Sequence, residues 1–148
     1  VMRMCYTHRH LFATLAMQLI AEGQNAKAEK VLRKSEKVLP EYNVPYTFMS
    51  GASDLARAYA LIGKKADAAC ILNKVWADAK SYADYYLQLT GSRFMMSQNE
   101  VLRQLYIMQN IADMTQACDK NLANKRLKTV NALYAVYQAK GGTPYQGE

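Results

Sequence analysis

Any chemistry performed by this chain has to come from a short inventory of side chains. His8 and His10 form an H-x-H pair, but on a helix two residues so spaced point roughly 200° apart, which makes a poor metal clamp. No other histidine exists, so a Ser-His-Asp or Cys-His nucleophile would have to use one of these two. Asp54, Asp67, Asp78, Asp84, Asp113 and Asp119 stand singly, without the spacing of a general acid and base pair, and are expected on helix surfaces. Cys5, Cys70 and Cys118 are odd in number and widely separated, giving neither a CxxC pair nor a metal-ligand spacing. They are expected as buried thiols, with a disulfide between two of them left open. Gly141-Gly142 follows no strand and precedes no Lys-Ser/Thr, so it does not form a phosphate-cradling loop. Hydrolysis and phosphoryl transfer find no support here, and no metal or cofactor is expected.

The aromatic content is more suggestive. Eleven tyrosines stand against three phenylalanines, and Tyr42, Tyr46, Phe48, Tyr82, Tyr85 and Tyr86 fall near or after a two-proline stretch. Tyrosine gives contact area at low entropic cost and tolerates water, which suits a recognition surface. The competing expectation is that most of these rings fill seams between helices, as Tyr59 should.

A formal charge of +7, from 19 Lys+Arg against 12 Asp+Glu, could serve nucleic acid or an anionic lipid surface. Its densest cluster, Lys27, Lys30, Arg33, Lys34 and Lys37, is interleaved with Glu29 and Glu36 and is expected as a solvated helix face. Nucleic acid is therefore not the expected partner.

The elements that hold these residues are helices. Hydrophobic residues make up 51% of the chain and charged ones 21%, enough for one domain with a core. Seven glycines and three prolines are too few for a sheet with many tight turns. Apolar runs such as Ala68-Ala69-Cys70-Ile71-Leu72 fall far short of the ~20 residues of a membrane span. The opening Val1-Met2-Arg3-Met4-Cys5-Tyr6 lacks the parts of a signal peptide and is expected to begin close to or inside a helix of a longer protein.

The chain repeats itself with an offset of 40: Leu15, Ala16, Leu19, Gly23, Ala28 and Leu32 fall on Leu55, Ala56, Tyr59, Gly63, Ala68 and Leu72. Small Ala16 and Ala56 permit close approach, Leu19 and Tyr59 fill the seam one turn later, and each glycine ends its helix in the left-handed region. Leu19, Leu32, Tyr59 and Leu72 are the expected core. These residues, with Pro40, resemble two tetratricopeptide motifs. The family period is about 34 residues, and the excess lies in Pro40 to Met49, which its two prolines keep from being helix.

Periodicity through Trp76, Ala79, Ala83, Tyr86 and Leu87 predicts a long fourth helix broken at Thr90-Gly91-Ser92. Ser97-Gln98-Asn99-Glu100 has the form of a capping box and predicts the start of a fifth, running to about Cys118. A sixth is predicted from Leu122 to Ala139, stopped by Gly141-Gly142. This third hairpin lacks the glycine turn and is expected to act as a cap. The expected fold is thus all-α: a tetratricopeptide-like right-handed superhelix of about three hairpins over residues 1–142, with a frayed tail at 143–148.

The order Arg3-Met4-Cys5-Tyr6, Val44-Pro45-Tyr46, Tyr85-Tyr86-Leu87-Gln88-Leu89 and then a Ser-capped helix resembles the C-terminal region of a family of large bacterial polytopic membrane proteins. That family, a domain of unknown function frequent in Bacteroidetes, is similar to protein O-mannosyltransferases of the membrane-embedded class. The resemblance implies a soluble tail on the periplasmic face of the inner membrane, with transferase chemistry elsewhere in the parent.

The expected function is a non-catalytic interaction or scaffolding module. Its groove would bind a protein or peptide, including the membrane part of its own parent, through Arg9, Asn25 and Arg57 with Tyr46 and Tyr85 as aromatic anchors. The alternatives are an accessory domain of a membrane glycosyltransferase and a basic adaptor for RNA or anionic lipid.

Overall fold

The structure, a computed structural model, describes residues 1–144. Among them the chain forms six α-helices and no strand. They are α1 (Met2–Ala21), α2 (Asn25–Val38), α3 (Ala52–Leu61), α4 (Lys65–Gln88), α5 (Gly91–Thr115) and α6 (Lys120–Ala139), with a 3-10 turn at Phe48–Ser50. Two compact units are formed, Val1–Val75 and Trp76–Glu148, and the boundary falls inside α4.

In the first unit the repeat is legible bond by bond. Gly23 and Gly63 have φ of +74° and +81°, the left-handed values that only glycine adopts without steric cost. Gly23 N–H donates to Ile20 O and Gln24 N–H to Leu19 O; forty residues later Gly63 donates to Ala60 O and Lys64 to Tyr59 O. This pair of bonds is the Schellman arrangement, which satisfies the last carbonyls of a helix and reverses the chain. The next helix is then entered identically, by Ala28 N–H to Gln24 O and Ala68 N–H to Lys64 O.

Ala16, Ala28, Leu32, Leu55, Tyr59 and Ala68 are wholly buried or within 1% of it where the repeat places them, and Leu72 is 2% exposed. The equivalence breaks on α1: Leu15 is 50% exposed and Leu19 only half-buried, because α1 packs on α2 and α3 with one side and leaves the other uncovered. Cys70 is another departure. It is exposed, not buried, since the buried stripe of α4 runs through Ala68, Ile71, Leu72 and Val75.

In the second unit α5 packs against α6. Phe94, Val101, Leu105, Met108 and Ile111 of α5 are buried, as are Ala123, Val130 and Tyr137 of α6. The expected capping box at Ser97 is not formed. Helix α5 already begins at Gly91, because Phe94 must be helical to reach the Tyr137 ring, 5.9 Å between centroids. Ser97 Oγ instead donates back to Arg93 O, the intrahelical bond open to a serine one turn in. The α5–α6 turn uses Asp119, whose carboxylate accepts from Leu122 N–H and caps α6.

Helix α6 ends by the same Schellman bonds at Gly141 and Gly142. The residue beyond is not frayed: Gln98 Oε1 accepts from both the amide and the hydroxyl of Thr143, and Tyr137 donates to Thr143 O at 2.6 Å. The remainder of the expected tail, 145–148, lies outside the described residues.

Candidate functional site

Arg9 stands on the inner face of α1 with Ala13 and Ala16, one and two turns on, and is 0% exposed. Its guanidinium donates to the carbonyls of Leu39 (3.1 Å), Val44 (2.5 Å), Pro45 (3.3 Å) and Ser50 (3.2 Å), the corners of the two-proline connection. The Tyr46 ring covers it at 4.8 Å and is itself 8% exposed. Burial lowers the guanidinium pKa from its ordinary value and pushes the Tyr46 phenol up to about 12. Arg9 and Tyr46 are therefore removed from any groove. Four peptide dipoles demand the charge inside, and the pair locks the loop rather than meeting a partner.

Helices α2, α3 and α4 are tied by a second cluster. Arg33 forms a two-pronged bond to Asp67 at 2.7 and 3.0 Å and lies 5.0 Å from the Tyr59 ring centre, while Tyr59 donates to Glu36 at 2.5 Å. The bond to Asp67 raises the Arg33 pKa and holds the carboxyl below its usual range; burial raises Tyr59. Glu29 joins Arg33 to Lys64. Part of the basic face of α2 is thereby neutralised by ion pairs within the chain, at its surface.

No protein-family model, curated protein or solved structure matches the chain.

Function must then be read from the surface. His10 pairs with Asp54 at 2.8 Å, with 60% and 39% of the two side chains exposed. The pair sits at a shallow depression shared with Tyr6, Thr7, Phe48 and Met49. No local pattern pairs these two residues, which are 44 apart on different helices. His8 is on the exposed side of α1 and does not join it. Among the described residues no group of three or more His, Cys, Asp or Glu is placed to hold a metal ion.

Of the other sequence-derived candidates, Asn25 is exposed at the first turn of α2 and Arg57 is exposed on α3. Tyr85 of the second unit is 58% exposed and lines the open depression along α4, about 600 Å³, with Trp76, Ala77, Lys80, Ser81, Asp84 and Gln88. Two i,i+4 rows, 76-80-84 and 77-81-85, supply its wall. Lys80 pairs with Asp84 at 2.5 Å, and the Trp76 ring is backed by Arg126, whose guanidinium lies 5.0 Å from it. Arg126 is 5% exposed, donates to Thr115 Oγ1 at 2.7 Å, and has its pKa lowered by burial. It is thus a fixed platform behind the indole.

No helix among the described residues is long and apolar enough to cross a membrane.

Proposed function

We propose that this chain is a non-catalytic interaction module whose hairpins stack in the tetratricopeptide manner, and that it binds a peptide segment of a partner protein along α4. The observation that carries the reading is the α4 depression. An exposed tyrosine and a tryptophan braced by a buried arginine flank a lysine, an aspartate and an amide on one open face of the helix. Rigid aromatic anchors beside adaptable polar groups are the composition of peptide-binding surfaces. The test is a randomised peptide library selected on the purified chain, with enriched peptides measured by fluorescence anisotropy. Tyr85→Ala and Lys80→Ala should weaken binding at least about tenfold, equivalent to about 1.4 kcal/mol, without moving Tm. Peptides that bind both variants as tightly as the parent would place recognition elsewhere.

The transferase-accessory reading rests on short sequence motifs. One of them, Val44-Pro45-Tyr46, has a structural duty, since its carbonyls and ring enclose Arg9. The polyanion reading is disfavoured by the ion pairing of Arg33 and Lys64.

A further inference from the structure

Acidic and basic residues are interleaved along α2 in sequence, and the helix sorts them onto different sides. Lys27, Lys30, Lys34 and Lys37 fall within about 80° of arc on the side away from buried Ala28, Leu32 and Ser35, whereas Glu29, Arg33 and Glu36 gather roughly 110° round from them. All four lysines are exposed. At a rise of about 1.5 Å per residue they form a row about 15 Å long.

The acids that could neutralise this row are engaged elsewhere. Glu29 joins Arg33 to Lys64, Glu36 takes Arg33 and the Tyr59 hydroxyl, and Asp67 takes both prongs of Arg33. Glu41 pairs with Lys74, Asp54 with His10, and Glu22 accepts from the amides of Gln18 and Gln24. These are all the carboxylate side chains of Val1–Val75, and among the described residues none pairs with Lys27, Lys30, Lys34 or Lys37. The pairing that occupies Arg33 and Lys64 thus also draws the acids away, and the row keeps four uncompensated charges.

Charge complementarity requires an anionic cover, and the make-up of the face selects its kind. The other residues beside the row are Ala26, Val31 and Val38. No ring stands there on which a base could stack, and no guanidinium that would fork onto a phosphate held in a fixed position. An ion pair between one such exposed ammonium and a carboxylate of a folded partner contributes little. A fluid anionic bilayer needs neither stacking nor fixed geometry, because its headgroups move to the charges and each lysine near the surface adds to binding. A straight row on one side of a helix presents all four ammoniums to a single plane. We propose that the outer face of α2 docks the first unit on the surface of an anionic lipid bilayer through Lys27, Lys30, Lys34 and Lys37. The docking is electrostatic and without insertion, since no aromatic, leucine or isoleucine side chain shares the face. It stands whether or not α4 binds a peptide.

The test is co-sedimentation of the full chain, at low salt, with vesicles of phosphatidylcholine alone and with vesicles of equimolar phosphatidylcholine and phosphatidylglycerol. Binding is expected to the mixed vesicles only, with release in molar salt. Each lysine of the row replaced by glutamine should weaken it about fivefold, so Lys30→Gln combined with Lys34→Gln should weaken it about twenty-fivefold with Tm unchanged. Lys125→Gln combined with Lys128→Gln removes the same charge from exposed positions of α6 and should bind as the parent does. Equal losses in the two double variants overturn the proposal, because adsorption then follows net charge and not the row. Equal binding to neutral vesicles overturns the electrostatic docking. Absence of binding to the mixed vesicles overturns the proposal outright, and polyuridylate bound through the same lysines would then assign the row to nucleic acid.

Discussion

The guanidinium of Arg9 lies 4.8 Å from the centre of the Tyr46 ring, and both side chains are closed off from solvent. A positive charge is thus held inside the first unit by peptide carbonyls and an aromatic face. The thirteen-residue excursion between α2 and α3, residues 39–51, is folded around it.

Arg9→Ala should be among the most damaging single changes. It leaves the Leu39, Val44, Pro45 and Ser50 carbonyls without their donor, and the loss should be about 3–5 kcal/mol by urea denaturation. Arg9→Lys should recover little, because an ammonium cannot span four acceptors with a planar fork.

Leu55→Ala and Leu15→Ala make the same change at equivalent places in the two hairpins. The first empties a wholly buried site and should cost about 2–5 kcal/mol. The second should cost no more than about 0.5 kcal/mol, since half of Leu15 already faces water. Equal costs would mean that the uncovered face of α1 is packed.

Acid should loosen the α2–α4 tie. Arg33 holds the Asp67 carboxyl below its ordinary pKa, and a depressed folded-state pKa gives stability that is present above the unfolded value and lost as pH falls through the folded one. The window therefore opens below about pH 4. Asp67→Asn should cost at most about 1 kcal/mol at neutral pH, because the two side chains are 45% and 31% exposed. Its urea midpoint should converge with that of the parent in strong acid.

Gln98→Leu should release the C-terminal strap. Gln98 Oε1 takes both the amide and the hydroxyl of Thr143, so its loss should cost about 1–3 kcal/mol. Thr143 amide exchange should accelerate while amides at the centre of α5 keep their protection.

What could be read in advance follows from which contacts are local. Gly23, Gly63, Ala28 and Ala68 announce helix, reversal and helix because each acts within one turn of its neighbours. Arg9 was expected in a groove and is buried instead: a cage of backbone carbonyls leaves no acidic partner in the sequence to betray its burial. Tyr46 was hidden for the same reason. The His10–Asp54 pair depends on how α1 meets α3, which periodicity within either helix does not specify. Ser97 misled because a capping box and an intrahelical serine bond share one pattern; Phe94, buried a turn earlier, had already committed the backbone to helix. Tyr85 lies exposed on α4 while Tyr86 beside it is half-buried, a difference of helical phase that the dipeptide alone does not show.

The sole tryptophan, Trp76, opens the second unit with its ring against Arg126 of α6. Its emission therefore follows the docking of α6, whereas the far-ultraviolet dichroism of the chain sums all six helices. Cooperativity between the halves becomes measurable without a label: a single coincident melting curve identifies one unfolding unit, and an earlier or later fluorescence transition identifies two that share a helix and yield separately.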